Sequence, residues 1–145
     1  MKTFLLSALF ATISFTLMAQ TNSPVPGNLS FGVYDWANLT PIPVTNGVRR
    51  AVFDGPTATV DHLHCHITTL NPGEVSGAPR LHLQEEIIIV KEGTVEAVSD
   101  GKMETAGPGS VIFFQSHTVT QLRNPTKLPA TYTVVYYLTP KTPKN

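Results

Sequence analysis

Three features of this sequence predict an all-β domain. Twelve prolines and ten glycines are spread along 145 residues, so the apolar runs between them are short and long helices have little room after the N-terminal stretch. About nine short segments rich in β-branched and aromatic residues follow one another at near-regular spacing, each stopped by a turn signal. In several of them polar and apolar residues alternate, the period of a strand with one face buried. Strands this short must close on one another to hide their apolar faces, which calls for a sandwich or barrel.

The chain has the length of one domain. Ten Lys and Arg balance ten Asp and Glu, so there is no electrostatic footprint for nucleic acid or for an anionic membrane surface. The first residues have the character of an export signal: Lys2, an apolar stretch from Phe4 to Met18, and Ala19-Gln20 as a plausible cleavage point. Residues 1–19 are therefore expected to be removed and the protein exported, periplasmic or secreted, with no membrane attachment afterwards. Cys65 is the only cysteine, which rules out an intramolecular disulfide; flanked by Leu63 and Ile67, it is expected to face the core.

Taken in order, residues 20–45 form an extended N-terminal segment, Pro/Ser/Asn-rich up to Asn28 and aromatic from Phe31 to Trp36, with Trp36 expected as a buried anchor of an edge strand or lid. The barrel proper is expected over residues 46–139. Val48 to Phe53 and Thr59 to Leu70 are strands ended by Asp54-Gly55-Pro56 and Asn71-Pro72-Gly73. The longer one carries His62, His64 and His66 on one face and Leu63, Cys65 and Ile67 on the other. The apolar set has the better claim to the core, which turns the imidazoles toward solvent or a second subunit. Glu86 to Lys91 follows, then Thr94 to Ser99 and Lys102 to Thr105 joined by Asp100-Gly101, a two-residue hairpin signal. Val111 to Phe114, Val119 to Leu122 and Ala130 to Leu138 complete the strands, and residues 140–145 are a polar tail.

One stretch stands out chemically. From Asn71 to Gly93 a turn leads into a strand with Arg80, His82, Gln84 and Glu86 at every second position, all on one face. The spacing His82-x3-Glu86-x6-Gly93 resembles the first motif of the cupin superfamily, the double-stranded β-helix (jelly-roll) barrels. The run from Gly107 to Asn124, a Gly-rich turn, an apolar strand, a loop and a strand ending in Asn, is similar to the second motif. The resemblance spans roughly Ala58 to Leu138 and implies that fold.

The resemblance also implies a metal site of His-x-His-x3-Glu plus a later His. His82 and Glu86 match two of these ligands, but Arg80 stands at the first His and Thr120 at the last. A guanidinium stays protonated and has no acceptor, so Arg80 opposes a cation. Three readings follow. Arg80 pairs with Glu86 in place of a metal; or a rebuilt site uses His82 and Glu86 with Gln84, His117 or the 62–66 histidines to hold Mn, Fe, Ni or Zn for dioxygenase- or isomerase-type chemistry; or Arg80 and His82 bind a small anion such as a sugar derivative or organic acid. The metal-free readings are favoured. The expected pocket is Arg80, His82, Gln84, Glu86, His117 and Thr120, in a chain expected to form a homodimer that covers its edge strands.

Overall fold

The structure, a computed structural model, describes residues 27–143. The export signal read over residues 1–19 lies outside them, as does most of the linker that follows. Among the described residues ten strands form: β1 (Ile42–Val44), β2 (Gly47–Gly55), β3 (His62–Leu70), β4 (Arg80–His82), β5 (Glu86–Glu92), β6 (Val95–Ser99), β7 (Lys102–Ala106), β8 (Val111–Phe114), β9 (Thr118–Arg123) and β10 (Ala130–Leu138). They pair antiparallel into a six-stranded sheet, β1-β2-β3-β10-β5-β8, and a four-stranded sheet, β4-β9-β6-β7. Leu70, Ile88, Val90, Tyr132 and Val134 of the first sheet share one buried cluster with Val95, Ala97, Ala106 and Leu122 of the second. The result is a jelly-roll barrel with a single core.

Turn chemistry explains the connections. Asp100 and Gly101 have φ of 46° and 79°, the left-handed pair that a two-residue hairpin needs between β6 and β7. Gly93, at φ 75°, lies so close to the following crossing that a Cβ there would fall 2.5 Å from the Pro129 carbonyl oxygen. Asn124, fully buried, stitches three segments: its side-chain amide donates to the carbonyls of Leu70, Asn71 and Leu128, and its oxygen accepts from the Thr126 amide and hydroxyl.

Several expectations are corrected. Arg80 to Glu86 is not one strand: the chain bends over residues 83–85, so β4 and β5 belong to different sheets. A short β1, unrecognised in the sequence because Pro41 and Pro43 surround Ile42, pairs with β2. The aromatic segment forms no strand but a single 3-10 turn at Trp36–Asn38, capped by Asp35, whose carboxylate accepts from the Ala37 amide. Trp36 is not a buried anchor. It is 38% exposed, its ring packed against the Arg50 guanidinium at 4.3 Å and the Lys91 ammonium at 3.8 Å, cations from β2 and β5, the strands that flank β3 and β10 in the six-stranded sheet.

The histidine row is also the reverse of the expectation. The even positions of β3, β10 and β5 face inward, with Thr68, Tyr132, Val134 and Ile88 lining the barrel interior beside His66. Leu63, Cys65 and Ile67 are therefore on the outer face. Cys65 is nonetheless buried, and burial raises its thiol pKa to about 11. This outer face is sheltered because the N-terminal segment crosses it, with Trp36 over Arg50 and Lys91 and the Tyr34 ring 5.5 Å from Phe53. Both faces of β3 are thus covered, so hydrophobicity does not reveal which one looks inward. On edge strand β8, Val111 and Phe113 stay exposed beside Ile89.

Candidate functional site

Between the sheets lies an open-mouthed cavity of about 650 Å³, within the range that takes a small-molecule ligand. Arg80, His82, Gln84, Glu86 and Thr120 all line it. The bend after β4 preserves the alternation, and the register pairs Arg80 opposite Thr120. His117 does not line it: at φ 57° in the turn before β9, it is exposed and contributes only its backbone amide, which donates to the His82 carbonyl at 2.7 Å.

Two similar chains of polar groups reach this cavity. In the first, Arg80 Nε donates to His82 Nε2 at 3.0 Å, which leaves the imidazole proton on Nδ1. That nitrogen is 3.0 Å from Glu86 Oε1, to which it donates. Gln84 stands at the edge of hydrogen-bond reach of the same oxygen, at 3.5 Å. His82 and Glu86 are both buried, so the carboxylate is balanced by a guanidinium acting through one ring rather than by direct contact. This differs from the direct Arg80–Glu86 pair that was one of the three readings of the sequence.

The second chain is only partly legible in the sequence, where His64 and His66 read as part of a row but nothing joins them to Arg49 or Asp54. Arg49, from β2, donates to His64 Nε2 at 3.1 Å, and His64 Nδ1 donates to Asp54 Oδ1 at 2.8 Å. His66 Nδ1 is 2.9 Å from the same His64 Nε2. The signal for Arg49 and His66 was their alternation in β2 and β3, which becomes decisive only once the inward face is known. Asp54 carried no such signal, because a one-residue register shift between Ala51 and Phe53 breaks the alternation ahead of it. Hydrogen bonds from His64 and then His62 hold the Asp54 carboxyl below its usual pKa.

His66 is held neutral. Burial, then the nearby charges of Arg49, His64 and Arg80, lowers its pKa from 6.5 to about 3. Between those two values the unfolded chain binds the proton that the folded chain refuses, so stability is complete above about pH 6.5 and falls as pH drops toward 3. The expected loss is up to about 1.4 kcal/mol per pH unit. Urea unfolding at about pH 7.5 and about pH 5 checks this: the midpoint should fall at the lower pH, and His66→Gln should remove that much of the slope. An identical slope in the variant would show that His66 is not its source.

The positions at which the resemblance implies a metal do not suit one. A cation there would need ring nitrogens from 80, 82 and 120, but Arg80 brings a permanent positive charge and donates to the His82 nitrogen that faces it, while the other His82 nitrogen is turned to Glu86. Among the described residues, a different group has metal-ligand character: Asp54, His62 and His64 each offer one atom, all within 4.8 Å of one another.

The family model for the cupin domain matches residues 66–136. No curated protein matches the sequence. Among solved structures, an RmlC-like cupin from Shewanella frigidimarina NCIMB 400 is 16% identical, with a TM-score of 0.63 over 77% of this chain and 95% of that one. A Cupin 2 conserved barrel domain protein from Salinispora arenicola CNS-205 is 26% identical, with a TM-score of 0.57 over 75% and 88%. A sugar phosphate isomerase of the cupin superfamily from Silicibacter pomeroyi DSS-3 is 23% identical, with a TM-score of 0.58 over 75% and 77%. With both sequence motifs in place, the barrel formed and the family model matched across its centre, the chain belongs to the cupin superfamily.

Proposed function

We propose that this protein binds a small anionic molecule, a sugar acid, sugar phosphate or organic acid, in a metal-free barrel cavity. The observation that carries this reading is the charge of the cavity wall. Arg49 and Arg80 line it against a single carboxylate, Glu86, which is already engaged by His82. A guanidinium presents a fork of donors matched to carboxylate or phosphate oxygens. Each gives one nitrogen to a histidine, Arg80 Nε to His82 and Arg49 Nη2 to His64, so less side-chain freedom is lost when a ligand docks on the remaining donors. Both arginines are exposed toward the open mouth, where a ligand's anionic groups can reach them without unfolding the wall. Thr68 from one sheet and Thr120 and Gln121 from the other also line the cavity and offer hydroxyls and an amide for a polyhydroxy body.

The test is a thermal-shift series with inorganic phosphate, citrate, gluconate and glucose on protein stripped with a chelating resin. At least one anion should raise the midpoint, with a gain approaching about 2.7 kcal/mol at a hundredfold excess over Kd. Glucose, which has the hydroxyls of gluconate without its charge, should be silent. Stabilisation by glucose equal to that by gluconate would remove charge as the basis of recognition.

A further inference from the structure

A second site lies at one end of the same sheet, outside the positions that the cupin motifs mark. We propose that Asp54, His62 and His64 bind a divalent transition ion of the zinc class through Asp54 Oδ1, His62 Nε2 and His64 Nδ1. The carboxylate oxygen is 2.5 Å from the His62 nitrogen and 2.8 Å from the His64 nitrogen. Two imidazoles and one carboxylate are a donor set suited to borderline ions such as zinc, leaving further positions for water or a ligand.

Three features beyond the cluster itself support the assignment. The first is the β-bulge in β2. Val52 is the extra residue between Ala51, opposite His66, and Phe53, opposite Cys65. Without it, strand parity would send Asp54 to the outer face, away from the histidines; with it, Asp54 stands directly opposite His64. The second is ring orientation. Tyr136 lies nearly parallel to both imidazoles, at 18° to each, 4.6 Å from His64 and 6.5 Å from His62, which holds the two rings in similar planes before any ion arrives. The third is the support behind His64. An ion on Nδ1 places the ring proton on Nε2, and His66 Nδ1, 2.9 Å away, accepts it. That tautomer cannot accept from Arg49, so loading the site releases the Arg49 guanidinium, now 3.1 Å from His64 Nε2, into the cavity.

An exposed carboxylate needs no imidazoles to satisfy it, and the Asp54 side chain is 60% exposed. The convergence of two rings on it by means of a bulge is what an ion would explain. The site also differs from the remnant at His82 and Glu86, which belongs to other strands and is occupied by a guanidinium contact.

Zinc titration by competition with a chromophoric chelator, on tag-free metal-stripped protein, tests the proposal, with cobalt as a visible-absorption probe of the ligand set. About one equivalent should bind per chain. Asp54→Asn and His62→Ala should each weaken binding by roughly tenfold or more and change the cobalt spectrum, while circular dichroism and the thermal midpoint in chelator show both variants folded. Wild-type protein that binds no zinc saturably, or variants that bind as tightly as wild type, would overturn the proposal. So would loss of binding in His82→Gln with retention in Asp54→Asn. None of these outcomes depends on whether the cavity takes an anion.

Discussion

Asn124→Ala should destabilise the fold by about 3 kcal/mol, the largest effect expected of a single side chain away from the glycines. The cause is the number of backbone groups that depend on it. The side-chain amide donates to the Leu70, Asn71 and Leu128 carbonyls, and its oxygen receives the Thr126 amide and hydroxyl. Truncation leaves the buried Leu70 carbonyl without its donor and unties the partly buried Asn71, Leu128 and Thr126 groups from one another. Asn124→Asp separates this from simple loss of packing. It keeps the volume but replaces the donor with an acceptor against three carbonyl oxygens, so it should be at least as damaging as alanine. Chemical unfolding of both variants checks the pair, and an Asp variant close to wild type would mean that packing, not hydrogen bonding, holds the end of β9.

Arg80→Leu should weaken binding of the stabilising anion by roughly tenfold to a hundredfold, the worth of a charge-assisted pair in a partly desolvated site. It removes one of the cavity's two forks and also the donor to His82 Nε2. Arg80→Lys keeps the charge but presents a point rather than a fork, so it should recover only part of the loss. Recovery of full affinity by lysine would show that charge alone matters. A loss in Arg80→Leu with no response to ligand charge would point to shape. Isothermal titration with the most stabilising anion of the series reads these differences directly.

The parts of the site that were readable in sequence share one property: they lie on strands whose alternation is unbroken in effect. Arg80, His82, Gln84 and Glu86 reach one cavity as their spacing implies, even though a bend divides them between sheets, because a bend of three residues returns the same parity. The two cupin-like motifs likewise marked Gly93 and Asn124, and the structure gives each a physical reason, a close backbone crossing and a buried set of hydrogen bonds. His62, His64 and His66 were readable as a row but not as an inward one. Hydrophobicity points to Leu63, Cys65 and Ile67 as core, and only the N-terminal segment lying across them explains why the apolar side faces out. Asp54 follows a bulge, and a bulge inverts every later inference from alternation. His117 failed for a different reason: its loop is near the mouth in sequence, but its left-handed backbone conformation leaves only its amide in the hydrogen-bonding pattern.

On the proposed reading, anion binding rests on the Arg49 and Arg80 guanidiniums, at a place where the cupin motifs imply a metal. Its most direct test is titration of citrate, or of whichever anion stabilises most, into metal-stripped wild-type protein and into the Arg49→Leu/Arg80→Leu double variant. Wild type should bind without added metal and the double variant should show no saturable binding. Anion binding that vanishes on metal removal and returns with zinc or manganese, or that survives loss of both arginines, would contradict it.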